Sequence, residues 1–283
     1  MRFFFDSITS KSYWQYVVFS RVGVQSIFAI FGGFWLLVSA LDFFKIYTRD
    51  KYASYAFIIF LILSFLVSIF LRRPIKSICV AFPKQDFSVE VRIEDLFEVS
   101  GAIMISSNTV FEADVAGGKI ALGSLQGQFT AQYFTGNQDE LLKQIEEELK
   151  KINGTVPYPM GTTLPITTHG KTFYFTAMAD LNEQGNAMTT TNNVIRALNG
   201  LWDYVRDAGE LQELAVPVVG TGRGRLKISR KKMIARISES FVKASELSKF
   251  TDRLVIVIRP EDASRFAVNL YDIRDNLIQT LKS

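Results

Sequence analysis

Hydrophobic and polar positions divide the chain into two regimes. From Val22 to Leu41 runs a 20-residue stretch whose only strongly polar side chain is Gln25, and a second 20-residue stretch, Tyr52 to Leu71, carries no charge. At about 1.5 Å of rise per residue each reaches about 30 Å, the depth of a bilayer's hydrocarbon core, with its backbone polar groups satisfied within the helix. The run IIFLILSFLVSIFL is apolar around the whole helix, which argues against a hairpin of a soluble bundle. The first stretch is too long and starts too late for a signal peptide, and a second span follows at once. The pattern predicts a membrane segment over residues 1–74 with two transmembrane helices, about 22–41 and 52–71.

Beyond Arg72-Arg73-Pro74 the period changes. Phe87, Val89, Val91 and Ile93 alternate as in a strand, and AIMIS (102–106), KTFYFTAMA (171–179), LAVPVVG (214–220) and RLVIVI (253–258) read as further strands, several of them buried. Helical spacing fills the intervals 139–152, 189–209, 229–245 and 261–281. Leu141, Leu142, Ile145 and Leu149 share one face, and Thr189 to Thr191, Ser229 and Pro260 with Glu261 mark starts. Strands alternating with helices predict an α/β domain over residues 75–283, a mixed central sheet covered on both faces. Gly154 to Gly170, rich in Gly, Pro and Thr, is the expected mobile stretch.

Composition sharpens the division. The 283 residues are 48% hydrophobic and 21% charged, and the mean hydropathy is +0.15. Net charge is +4, but 32 Lys and Arg are interleaved with 28 Asp and Glu, so no nucleic-acid partner is implied. One cysteine, Cys79, and one histidine, His169, exclude an internal disulfide and a His/Cys metal cluster. His169, beside Gly170, reads as solvent-facing or structural. Arg2, Lys11, Arg21, Arg72, Arg73, Lys76 and Lys84 flank the spans, against Lys45, Arg49 and Lys51 between them, which favours both termini in the cytoplasm. No ionisable residue lies deep in either span, so a pore requires several chains. Gly23, Ser26, Gly32, Gly33 and Ser39 are either a face for helix packing or the ordinary small residues of a membrane helix.

Two glycine segments carry candidate chemistry. Gly117 to Phe129 leads into a helix, where glycines allow close backbone approach and a helix N-terminus offers unpaired N–H donors to an anion such as phosphate. Gly220-Thr221-Gly222-Arg223-Gly224-Arg225 directly follows a buried strand, the position at which open α/β sheets bind ligands. It matches neither the Walker loop nor GxGxxG. Each alone also reads as a tight turn; together they suit a pyrophosphate. Arg223 and Arg225 either assist the phosphates or stay solvated.

VPVVGTGRGRL (216–226) resembles the second phosphate loop of macro domains, the ADP-ribose-binding α/β/α fold, and Gly123-Ser124-Leu125-Gln126-Gly127-Gln128-Phe129 resembles the first loop of a divergent bacterial branch. That branch, the macro-domain effectors of the type II Thoeris antiphage system, also has two N-terminal transmembrane helices. The resemblance implies a three-layer macro-like domain. It places Asp95, in Ile93-Glu94-Asp95-Leu96-Phe97, at the adenine and Asn108, closing AIMISSN, at the matching position after the next strand. A plain turn cap is the other reading of Asp95. It implies binding through Asp95, Asn108, Gly123, Ser124, Leu125, Gln126, Gly127, Gln128, Gly220, Thr221, Gly222, Arg223 and Gly224, with no catalytic residue and no cofactor. Glu94 replaces the usual Gly, Ile-Ser-Ser-Asn the usual Asn-Ala-Ala-Asn, and Ser-Leu-Gln-Gly-Gln the usual Gly-Gly-Gly. These departures bear on the hydrolase activity of some macro domains more than on binding.

The implied ligand is an ADP-ribose derivative, a histidine conjugate made from NAD by a TIR-domain partner during phage infection. The implied response is self-association in the bacterial inner membrane and disruption of the lipid bilayer, leading to abortive infection. The alternative is a membrane-anchored hydrolase of ADP-ribose derivatives.

Overall fold

The computed structural model describes residues 9, 11–46, 53–82, 85–152, 154–209, 213–219, 226 and 228–281. The chain forms two compact units, residues 1–76 with 260–272, and residues 77–259 with 273–283.

In the first unit, Ser20 interrupts a short helical lead-in and caps helix α1, Arg21–Phe43, its hydroxyl accepting the Gly23 amide at 2.9 Å. Helix α2 is Ala53–Leu71. Aromatic side chains link the pair: Phe34 stacks on Phe60 at 5.8 Å and Phe31 meets Phe57 edge-on at 5.4 Å. Arg72 donates to the Val22 carbonyl and the Ser26 hydroxyl, both at 3.0 Å. Among the described residues α1 is the one helix long and apolar enough to cross a membrane, and the apolar stretch of α2, Tyr55–Leu71, is shorter. Apolar side chains such as Phe28, Leu36, Ile62 and Phe70 are exposed on this pair.

The second unit is built on a mixed sheet of β1 (Ser77–Phe82), β2 (Phe87–Ile93), β3 (Ala102–Asn108), β4 (Thr163–Thr168), β5 (Lys171–Leu181), β7 (Leu214–Pro217) and β8 (Arg253–Ile258). Their order is β1-β2-β8-β7-β3-β5-β4, with the two-residue β6 (Ala187–Met188) beside β5. Strands β2, β8, β7, β3 and β5 run parallel, and the edges β1 and β4 are antiparallel to their neighbours.

Alternation along the strands assigns the two faces. Phe173 and Phe175 meet Phe129 of α3 (Leu125–Tyr133), on the face where Leu141 and Ile145 of α4 (Gln138–Lys150) are also buried. Tyr174, on the opposite face, meets Tyr204 of α5 (Thr191–Ala208) edge-on at 5.7 Å. Helix α5 buries Val194, Ala197, Leu198, Leu201, Trp202 and Val205, a full apolar stripe at helical spacing. It packs with α6 (Arg230–Leu247) through the Trp202–Phe241 contact at 5.7 Å. The Thr190 and Ser229 hydroxyls cap these two helices.

Two expectations change. The segment 154–170, expected to be mobile, contains β4, with Leu164 and Ile166 wholly buried. An edge position tolerates Pro165, which lacks the donor that a central strand needs. The turn to β5 is His169-Gly170, both at positive φ (51° and 72°), as a two-residue hairpin requires. It lies at the amino end of β5 and leaves His169 exposed, with Nδ1 2.9 Å from the Thr168 hydroxyl. Finally, the helix expected over 261–281 divides into α7 (Pro260–Arg265) and α8 (Leu270–Leu281), because Ala267 turns to φ 48° and the Asn269 side chain accepts the Tyr271 amide, starting a new helix.

Candidate functional site

The parallel strands deliver their carboxyl ends to one edge of the sheet; Asp95 lies two residues beyond β2, Asn108 closes β3, and Ser124 precedes α3. At the end of β3 the register to β5 shifts between Ser107 and Asn108, a bulge of the kind that re-aims side chains near functional sites. Asn108 is 5% exposed, and its Oδ1 accepts the amides of Val110 (3.1 Å) and Glu112 (3.0 Å). The amide expected at the ligand therefore braces the following turn. That turn holds Phe111 at φ 51°, a strained conformation for a bulky residue, with its ring buried against Tyr158 at 5.8 Å. Ser107 keeps a buried hydroxyl with no hydrogen-bond partner among the described residues.

The chain then winds through Gly117, whose amide donates to Asp114 Oδ1 at 2.6 Å, to the start of α3. Ser124 caps this helix: its hydroxyl donates to the Ala121 carbonyl (2.7 Å) and accepts the Gly127 amide (3.0 Å). Leu125 and Gln126 occupy the first turn, where no intrahelical acceptor exists for their amides. With the helix dipole they form a partly positive end suited to an anion. Gln126 is 3% exposed and donates through Nε2 to the Glu112 carbonyl at 2.9 Å; Gln128 donates to the Gly123 carbonyl at 3.2 Å. A Cβ on Gly127 would lie 2.8 Å from both Cα and O of Leu122 and closer still to the Ala121 carbonyl. This glycine is needed because the loop folds back over the helix start.

Asp95 is exposed and caps the single turn Leu96–Glu98, with Oδ1 accepting the Phe97 amide at 3.0 Å. The carboxylate and burial together push the Tyr133 phenol above its usual pKa, burial being the larger cause. The segment beyond is tied down by Lys171, which donates to the carbonyls of Phe97 (2.6 Å) and Val99 (3.2 Å). Gly220, Thr221, Gly222, Arg223, Gly224 and Arg225 lie outside the described residues. The strand ahead of them, β7, pairs directly with β3, and Val219 at its exit is buried.

A family model described as "Thoeris protein ThsA, Macro domain" matches residues 89–259, running from β2 to the end of β8. The chain belongs to this Thoeris macro-domain family. A search of the curated proteins finds none that matches. Among solved structures the chain is similar to the Oceanobacillus iheyensis macrodomain with MES bound, at 12% identity and a TM-score of 0.49, covering 70% of this chain and 98% of that one. A point mutant of that macrodomain with ADPR gives the same identity and score over 70% and 99%. Family membership agrees with the mixed sheet between two helical layers seen here.

Within the Thoeris macro-domain fold, sequence reasoning passed over Glu112 and Lys119. Glu112 Oε1 accepts the Ala113 and Asp114 amides (3.1 and 3.0 Å), and Oε2 accepts Lys119 Nζ at 2.9 Å. Burial alone raises its pKa, but Lys119 and the two amides outweigh burial and hold the carboxyl below its ordinary value. No motif spacing announces such a residue, because two of the three partners of its carboxylate are backbone amides of its own loop.

Proposed function

We propose that the second unit binds an ADP-ribose derivative at the carboxyl edge of its sheet. The observation that carries this reading is the start of α3, where the Leu125 and Gln126 amides are left without helical acceptors at a Ser124-capped N-terminus, in a chain of the macro-domain family. A pyrophosphate meets those amides and the positive end of the helix dipole. The second glycine loop, Gly220 to Gly224, supplies further backbone donors. Asp95, exposed beyond β2, accepts the exocyclic amine of adenine through the carboxylate oxygen not used in capping.

Helices α1 and α2 then act as a two-span membrane hairpin with both termini in the cytoplasm. The ligand, a histidine conjugate of ADP-ribose made by a TIR-domain partner, drives self-association of several chains and breaches the membrane. A ligand drives assembly only by binding the assembled state more tightly than the free one. Binding rather than turnover is favoured because Asn108, the residue suited to placing a water, spends its side-chain oxygen on two backbone amides.

The test reconstitutes the full chain in liposomes and follows dye leakage and particle size with ADP-ribose and its histidine conjugate. Ligand-dependent leakage that is lost in Gly222→Glu is expected. Silence toward every ADP-ribose derivative refutes the signalling reading, and steady hydrolysis of the added ligand replaces it with the hydrolase.

A further inference from the structure

Residues 108–126 are organised around a side chain that has no part in the binding set above. Glu112 joins three pieces of chain. Its amide donates to Asn108 Oδ1 at the end of β3 (3.0 Å), its carbonyl accepts Gln126 Nε2 in the first turn of α3 (2.9 Å), and its carboxylate holds the intervening loop. Within that carboxylate the work is divided: Oε1 takes two successive backbone amides, of Ala113 and Asp114, and Oε2 takes Lys119. The side chain is 23% exposed and that of Lys119 is 62% exposed, so the ion pair itself is screened and weak. The amide contacts are the stronger restraint, being charge-assisted and partly shielded from water. The same turn stores strain at Phe111, which persists only where the surroundings over-determine the backbone.

We propose that Glu112 is the positioning residue of the phosphate-facing segment: by fixing the loop between β3 and α3 it sets where the Leu125 and Gln126 amides stand before any ligand arrives. This rests on the binding reading above, but the loop ordering it requires is measurable without ligand.

The experiment compares the full chain in detergent with Glu112→Met and Glu112→Gln, using ADP-ribose as the probe in calorimetry and hydrogen exchange of residues 109–124 in its absence. Met keeps the bulk and removes both acceptors; Gln keeps an acceptor for the Ala113 and Asp114 amides. Expected are about tenfold weaker binding and fast exchange of the loop in the Met variant. The Gln variant is expected within about threefold of the parent, with exchange restored, and cooperative unfolding of the domain is retained in both. Parent-like exchange in the Met variant overturns the proposal. So does a Gln variant as impaired as Met, which would mean that the acceptor is not what matters, or loss of cooperative unfolding in the Met variant, which would make the role merely structural. If the parent binds neither ADP-ribose nor its histidine conjugate, the binding reading fails, and the exchange comparison still decides the role of Glu112.

Discussion

Adding a single methyl group at Gly127 tests whether the geometry at the start of α3 governs binding. In Gly127→Ala the new Cβ meets Leu122 Cα and O at 2.8 Å, where ordinary contact begins at 3.4 Å, so these atoms must retreat by at least 3.4 − 2.8 = 0.6 Å, and the Ala121 carbonyl by more. The helix itself gains from the change, since alanine is favoured over glycine in a helix by about 0.8–1.0 kcal/mol. It is therefore the loop over residues 121–124 that yields, carrying the Ser124 cap with it. A displacement of that size at a site built from fixed donors costs roughly ten- to a hundredfold in binding. Isothermal titration of the full chain with ADP-ribose, beside a thermal melt, reads both quantities. An affinity within twofold of the parent at unchanged stability would refute the claim that the loop–helix junction positions the anion.

Two further outcomes concern the scaffold beneath the site. Trp202 is wholly buried between Phe241 and Phe250, with Nε1 donating to Ser240 at 2.8 Å, so Trp202→Ala is expected to cost about 3–5 kcal/mol in urea unfolding, and a loss under about 1 kcal/mol would contradict the packing. Burial, then Tyr174 and Glu148, push the Tyr204 phenol up to about 12. Because the folded pKa is raised, this group's contribution to stability is complete below the unfolded value near 10 and is lost as pH climbs through about 12. Absorbance titration at alkaline pH should show a tyrosine ionising near pH 12 that disappears in Tyr204→Phe.

Elements with a strong internal period were legible from the sequence. The buried strands β3, β5 and β8 declare themselves by unbroken apolar runs, and α4 and α5 by one-sided spacing; Thr190 and Ser229 cap their helices as hydroxyls at those positions should. The glycine segment ahead of α3 was legible too, but its physical reason was not. Gly127 is small because its own loop packs on it, a contact set by two backbones that no spacing rule encodes.

Local composition alone determined that this chain has an apolar helical N-terminal region followed by an alternating α/β domain, because period and polarity are properties of neighbours in sequence. Tertiary structure alone decided the edges and the site. Pro165 became part of a strand because β4 has a neighbour on only one side. Asn108 turned inward because the Val110 and Glu112 amides needed an acceptor once the turn was buried. Glu112 gained its central place from Asn108, Lys119 and Gln126, which are brought to it only when α3 folds back over the end of β3. Satisfying buried polar groups depends on which segments meet, and that information lies in the fold rather than in any one stretch of the chain.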